Sequence, residues 1–234
     1  MNPYNPYAQP LAGAQARPDT NAFFRKVYGY MAGGLFATGV TALVVASSEV
    51  LVNAILANRI VFFGLLIAEL IMVLAFSKVV QSLSTPAAAA FFFAYAVLNG
   101  LTMSIIFMIY TASSIASTFF VTGGTFAALS AYGYATKRDL TGVGSFAMMG
   151  LIGLIIASIV NIFLNSPMIY WLTTFVGVIV FVGLTAYDTQ KLKQFALVSG
   201  REEQSKVALQ GALMLYLDFI NLFLYLLRLF GRRR

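Results

Sequence analysis

Seven apolar runs, most of them about twenty residues long and separated by short polar turns, decide what this chain can fold into. A helix of that length rises about 30 Å, the thickness of the hydrocarbon core of a bilayer. The runs fall at about Val27–Ala46, Ile60–Phe76, Ala87–Tyr110, Ile115–Ala135, Val143–Leu164, Met168–Lys191 and Val207–Leu229. Charge is scarce: 10% of residues carry it, against 60% that are hydrophobic. A soluble domain has about 25% charged residues to cover its outside. The expected fold class is therefore all-α, a polytopic membrane protein with seven transmembrane helices in one domain over residues 23–234. Residues 1–22 hold no apolar core of a signal peptide and read as a disordered cytoplasmic tail.

The turns between runs are short. Ser113-Ser114 and Asn165-Ser166-Pro167 mark two of them, with Pro167 suited to a helix start. The one long loop is expected at Leu192–Lys206. Lysines and arginines number ten on the side of the N-terminus and five on the other, which puts the N-terminus in the cytoplasm. The C-terminal Arg228, Arg232, Arg233 and Arg234 run against that rule. Val207–Leu229 is nevertheless long enough to cross, so a seventh span with an outward basic tail is preferred to a re-entrant one.

What is missing excludes much chemistry. The chain has no cysteine and no histidine, which removes disulfides, thiol catalysis, the commonest metal ligands and the usual switch near neutral pH. No nucleophile–base pair and no glycine-rich phosphate loop is present, so no enzyme and no cofactor are expected. The net charge of +7 is accounted for by topology-setting loops, and nucleic acid is not an expected partner. Helix contacts are expected at small residues: Gly29 and Gly33, Gly123-Gly124, and Gly150 and Gly153.

Three acidic residues lie where charge is expensive. A charge at mid-bilayer costs about 2.5–3.5 kcal/mol even on lenient scales, so Glu69, Asp188 and Asp218 each call for a partner or a cavity. Asp218 sits mid-run on a polar stripe made by Gln210, Met214, Asp218, Asn221, Tyr225 and Arg228, spaced three and four apart. In lipid such a stripe faces protein or water, which makes the last span central and adds Asn221 to the candidates for an ion pathway. Asp188 lies near the end of the sixth run, where an ion pair with Lys191 is the plainer alternative. Spans six and seven run antiparallel, so a modest offset brings Asp188 and Asp218 together. Two close carboxyls cannot both ionise cheaply and titrate as one unit. They also attract a hard cation. Calcium takes about six to eight oxygens, so this pair would make a weak site at most, suited to permeation or gating. Glu69 is a third candidate for the same cavity.

The string Leu215-Tyr216-Leu217-Asp218-Phe219-Ile220-Asn221-Leu222-Phe223 resembles the Bax inhibitor-1 family, also called the transmembrane Bax-inhibitor-motif family. Gly183-Leu184-Thr185-Ala186-Tyr187-Asp188 upstream and the charged loop Thr136-Lys137-Arg138-Asp139-Leu140 fit as well, with the bacterial inner-membrane branch the nearest match. The resemblance implies a last helix wrapped by the other six. It also implies a pH-sensitive calcium leak gated by two aspartates, which map onto Asp188 and Asp218, with Glu69 as the acidic residue of the second span. A basic residue that latches one aspartate has no counterpart: Val80 stands there, and Lys78 is only nearby. One bacterial branch is known to bind and modulate a membrane-bound AAA protease of the FtsH kind, a role Met1–Ala22 could serve. The expected function is a pH-sensitive passive leak of cations, calcium first among them, gated by protonation of the pair, with calcium or protons as the small partners. The alternative is a non-conducting modulator of that protease.

Overall fold

The computed structural model describes residues 19–198 and 204–234. Most of the expected tail, together with Arg201, Glu202 and Glu203, lies outside the described residues. The elements in chain order begin with α1 (Thr20–Ala46), a short α2 (Glu49–Val52) and a π-helical turn at Asn53–Ala57. Then come α3 (Arg59–Ser82), α4 (Thr85–Met103), α5 (Ile106–Ile109), α6 (Ala112–Ala135), α7 (Thr141–Leu164), α8 (Pro167–Val198) and α9 (Gln204–Phe230). Among the described residues, seven helical segments are long and apolar enough to cross a membrane, with α4 and α5 counting as one broken span.

The boundaries differ from the apolar runs because caps and amphipathic ends extend a helix past its apolar stretch. α1 starts at Thr20, since the Asp19 side chain accepts a hydrogen bond from the Ala22 N–H and satisfies one of the free donors of the first turn. Ser113 and Ser114 do not form a turn. They sit inside the first turn of α6, which Thr111 caps by accepting from the Ser114 N–H. The expected long loop at Leu192–Lys206 is mostly helix, because α8 continues to Val198 and α9 begins at Gln204. Asn165-Ser166-Pro167 is the turn it reads as. Asn165 adopts φ 46° at the C-cap of α7, and α8 starts on Pro167. The Arg138-Asp139-Leu140 loop is clamped by Gln190 of α8, which donates to the Arg138 carbonyl and accepts from the Leu140 N–H, both at 2.8 Å. Thr141 donates to Asp139 from both its hydroxyl and its N–H, which holds that carboxyl below the usual carboxylate range.

α9 occupies the middle. It packs against α1, α3, α4, α6 and α8, and over half of its most apolar window is buried within the protein, the largest share of any span. Tyr216 meets Phe92 and Tyr95 on one side, while Phe219 meets Phe119 and Phe126 on another. The wrapping is less complete than the resemblance implies, for α7 packs chiefly on α8. α3 and α7 bury the least of their surface and face lipid.

α9 runs unbroken for 27 residues, about 40 Å. Near its start Lys26 of α1 donates to Ser205. Past its far end the C-terminal residues pair with the α5–α6 turn. Thr111 N–H donates to Arg232 O and Arg234 N–H to Ile109 O, both at 3.0 Å. The basic tail therefore sits at the end of the bundle opposite the start of α1, as a true seventh span requires.

Candidate functional site

Asp188 of α8 and Asp218 of α9 come together. Their carboxyl groups lie within hydrogen-bonding reach of each other. Both are buried, at 9% and 4% exposure, and Asp218 Oδ2 has no hydrogen-bond partner among the described residues. The local sequence builds this placement. Thr185 and Thr189 turn their hydroxyls back onto the carbonyls of Phe181 and Thr185 at 2.7 and 2.8 Å, so the polar face of α8 costs little beside α9. Lys191 makes no ion pair with Asp188. Its ammonium lies 5.8 Å from the Tyr187 ring and 5.7 Å from the Phe195 ring, and only its field reaches the carboxyl. No cation arrives from α3 either, since Val80 is fully buried and Lys78 is exposed. The pair thus has no basic latch among the described residues.

Glu69 belongs to a different site. It accepts from Thr102 at 2.6 Å and from Asn99 at 3.3 Å, both on α4. Asn99 in turn accepts from the Tyr216 hydroxyl at 3.1 Å. That hydroxyl also meets Thr38 of α1 at 2.6 Å, and Thr38 reaches the Ala96 carbonyl at 2.8 Å. One polar chain therefore ties α3, α4, α9 and α1 across the bundle. No periodic pattern in the sequence marks it, because each helix contributes one or two ordinary polar residues. Only Tyr216, inside the family-like string, stood out by position. Asn221 does not join: its side-chain amide donates to the Leu217 carbonyl of its own helix at 2.8 Å.

Breaking the centre of this chain has a calculable effect. Tyr216→Phe removes the bonds to Asn99 and Thr38 while keeping the ring against Phe92 and Tyr95. Side-chain hydrogen bonds between membrane helices contribute about 0.6 kcal/mol on average and up to about 1.7. A loss of about 1–2 kcal/mol is expected in detergent-induced unfolding of the variant.

Two cavities approach the centre from opposite ends. One of about 710 Å³ opens beside the C-terminal residues, with Glu69, Asn99 and Thr102 inside and Arg228 and Arg233 at its wall. The other, about 380 Å³, lies between α3, α8 and α9 toward the N-terminal end and is bordered by Lys191, Gln210 and Leu217. Leu217 directly precedes Asp218. Among the described residues no three acidic side chains converge as a metal cage would need.

The description "Inhibitor of apoptosis-promoting Bax1" matches residues 20–234. The inner membrane protein YbhL of Escherichia coli K12 is 49% identical over 229 residues, covering 97% of this chain and 95% of that one. A protein of Rickettsia prowazekii is 45% identical over 215 residues, covering 91% and 90%. One of Borreliella burgdorferi is 43% identical over 216 residues, covering 92% and 93%. With that match over residues 20–234, these relatives and the seven apolar helices, the chain belongs to the Bax inhibitor family of multi-pass membrane proteins.

Proposed function

We propose that this protein is a pH-sensitive passive cation leak of the bacterial inner membrane, with an inward N-terminus, gated by the Asp188–Asp218 pair. The observation that carries this reading is the buried, unlatched carboxyl pair, with Asp218 on the stretch of α9 between the residues that line the one cavity and those that line the other, itself lining neither. A doubly ionised pair repels itself and attracts cations, whereas a pair that shares a proton closes on itself. One proton thus shifts both the packing of α8 on α9 and the affinity for a cation. Calcium as the permeant ion follows from the family resemblance and suits oxygen ligands. The protein acts without enzymatic chemistry or bound cofactor in this reading. Arg228 and Arg233 at the mouth of the larger cavity oppose cation entry, which fits a slow leak better than a fast channel.

The test is calcium flux into proteoliposomes over a pH series, wild type beside Asp218→Asn. No flux above empty liposomes at any pH, with protein shown to be folded and inserted, would favour a non-conducting modulator of a membrane-bound AAA protease. Glu69 adds a separate check. Glu69→Gln removes the negative charge inside a cavity walled by arginines. Flux is expected to fall about tenfold, the lower end of electrostatic focusing in clefts. The pH at half-maximal flux should stay where it is, because Glu69 is not part of the pair.

A further inference from the structure

A long groove runs between α1 and α6, which meet through side chains such as Phe24 and Tyr134 at one end while both pack on α8 and α9. It consists of a cavity of about 880 Å³ continued by one of about 430 Å³, with Ala32 and Leu35 lining both. From Arg25 at one end to Leu43 at the other it follows 19 residues of α1, a rise of about 27 Å. One leaflet of a bilayer is about 15 Å of hydrocarbon. The groove is therefore long enough to take an acyl chain through a whole leaflet.

Three features separate it from an ordinary lipid-facing surface. The first is that its width is built in. A Cβ added at Gly29 or Gly39 would meet nothing within 4 Å. The second is a closed end. Phe24 stands edge-on to Tyr134 at 5.1 Å, and Lys193 donates to the Tyr134 carbonyl at 2.8 Å with its ammonium over the ring. Arg25, exposed beside this end, has no acidic partner among the described residues. The third is a hydroxyl cluster one turn deeper. Tyr28 and Ser130 both line the groove, and Thr189 donates to Ser130 at 3.3 Å. Below this the lining is almost wholly apolar. A cation at the rim, hydroxyls a turn below and a dry channel beyond match a phospholipid read from phosphate to ester to acyl chain.

We propose that the α1–α6 groove is a binding site for one anionic phospholipid, with its phosphate at Arg25 and an acyl chain along Gly29, Ala32, Leu35 and Gly39. At this depth only lipid has free access to the groove, and the basic rim selects an anionic headgroup. Nothing in this proposal depends on ion conduction, and the site stands whether or not the protein leaks.

The test uses the full chain in phosphatidylcholine vesicles holding a trace of phosphatidylglycerol with a photoactivatable acyl chain. Adducts are mapped by mass spectrometry. They are expected to concentrate on residues 21–35 and 119–134. Gly29→Leu fills the groove into open space and should cut labelling there at least fivefold. Ala127→Leu does the same from the opposite wall and guards against a folding defect in the first variant. Arg25→Gln should lower phosphatidylglycerol labelling about fivefold, the worth of one basic residue near an anionic surface, and bring it toward that of the phosphatidylcholine analogue. Equal labelling by both analogues in the wild type would overturn the proposal. So would labelling of α3 and α7 as dense as that of the groove.

Discussion

Asp218→Asn is expected to lower calcium flux at alkaline pH and to flatten its dependence on pH. In the wild type, flux should rise with pH, because removal of the shared proton leaves two carboxylates facing each other at the contact of α8 and α9. Their repulsion loosens that contact, and their joint charge draws a cation. An asparagine at 218 can still hydrogen-bond Asp188, so the closed packing survives, while the second charge can never form. Coupling between a proton and a distant conformational change is commonly about 1–3 kcal/mol, or roughly 5- to 150-fold. A fall within that range is expected at alkaline pH, with little change at acid pH where the wild type is closed. Asp188→Asn should behave alike, since the pair titrates as a unit and neither residue owns a step. A double variant no worse than either single one would confirm that the two act together. Undiminished flux with an unchanged pH profile in Asp218→Asn would remove the pair from gating. Lys191→Met is a useful companion. Its ammonium rests on Tyr187 and Phe195 and bears on Asp188 only through its field, so it should move the midpoint of the pH response without abolishing it.

The aspartate pair was legible in the sequence for a physical reason. An acid inside an apolar run is so costly in lipid that it must have a partner, and two such acids on adjacent antiparallel helices have each other within reach. The span count was legible because bilayer thickness sets a length. Helix ends were not, since a cap such as Asp19 or Thr111 extends a helix beyond its apolar stretch. The polar chain through Thr38, Asn99, Thr102 and Tyr216 was not legible either. Each member is cheap to bury alone, so nothing in its own helix marks it. Glu69 was found as an expensive residue, yet its site was misplaced: burial cost says that a partner exists and leaves open which helix supplies it.

Glycine shows the same limit most sharply, and it yields the largest expected structural effect. The sequence pointed to Gly29, Gly33, Gly123, Gly124, Gly150 and Gly153 as contact points because they come in close pairs. Of these, Gly29, Gly123, Gly124 and Gly153 would carry a Cβ without meeting anything within 4 Å, whereas Gly33 and Gly150 do face a neighbour. The tightest approaches are made by isolated glycines. Gly133 of α6 lies so close to α8 that a Cβ there would press into the Ala186 carbonyl oxygen and stand 3.0 Å from its carbon and 3.1 Å from Cα. Gly177 of α8 leaves room for the Tyr225 ring in the same way. At Gly133 the obstacle is backbone, which cannot rotate aside, so α6 and α8 must separate. Overpacking of this kind costs about 1–3 kcal/mol or more. Gly133→Ala is accordingly expected to destabilise the protein by about 3 kcal/mol. Because Ala186 is two residues from Asp188, the variant should also disturb the pH response of flux. Gly124→Ala supplies the control. It adds a methyl group to open space and removes the conformational freedom of glycine within a helix, so it should be neutral or stabilise by up to about 1 kcal/mol. Detergent-induced unfolding of the two variants side by side decides the matter. Equal stabilities would mean that α6 and α8 are not in the close contact on which the placement of Asp188 against Asp218 depends.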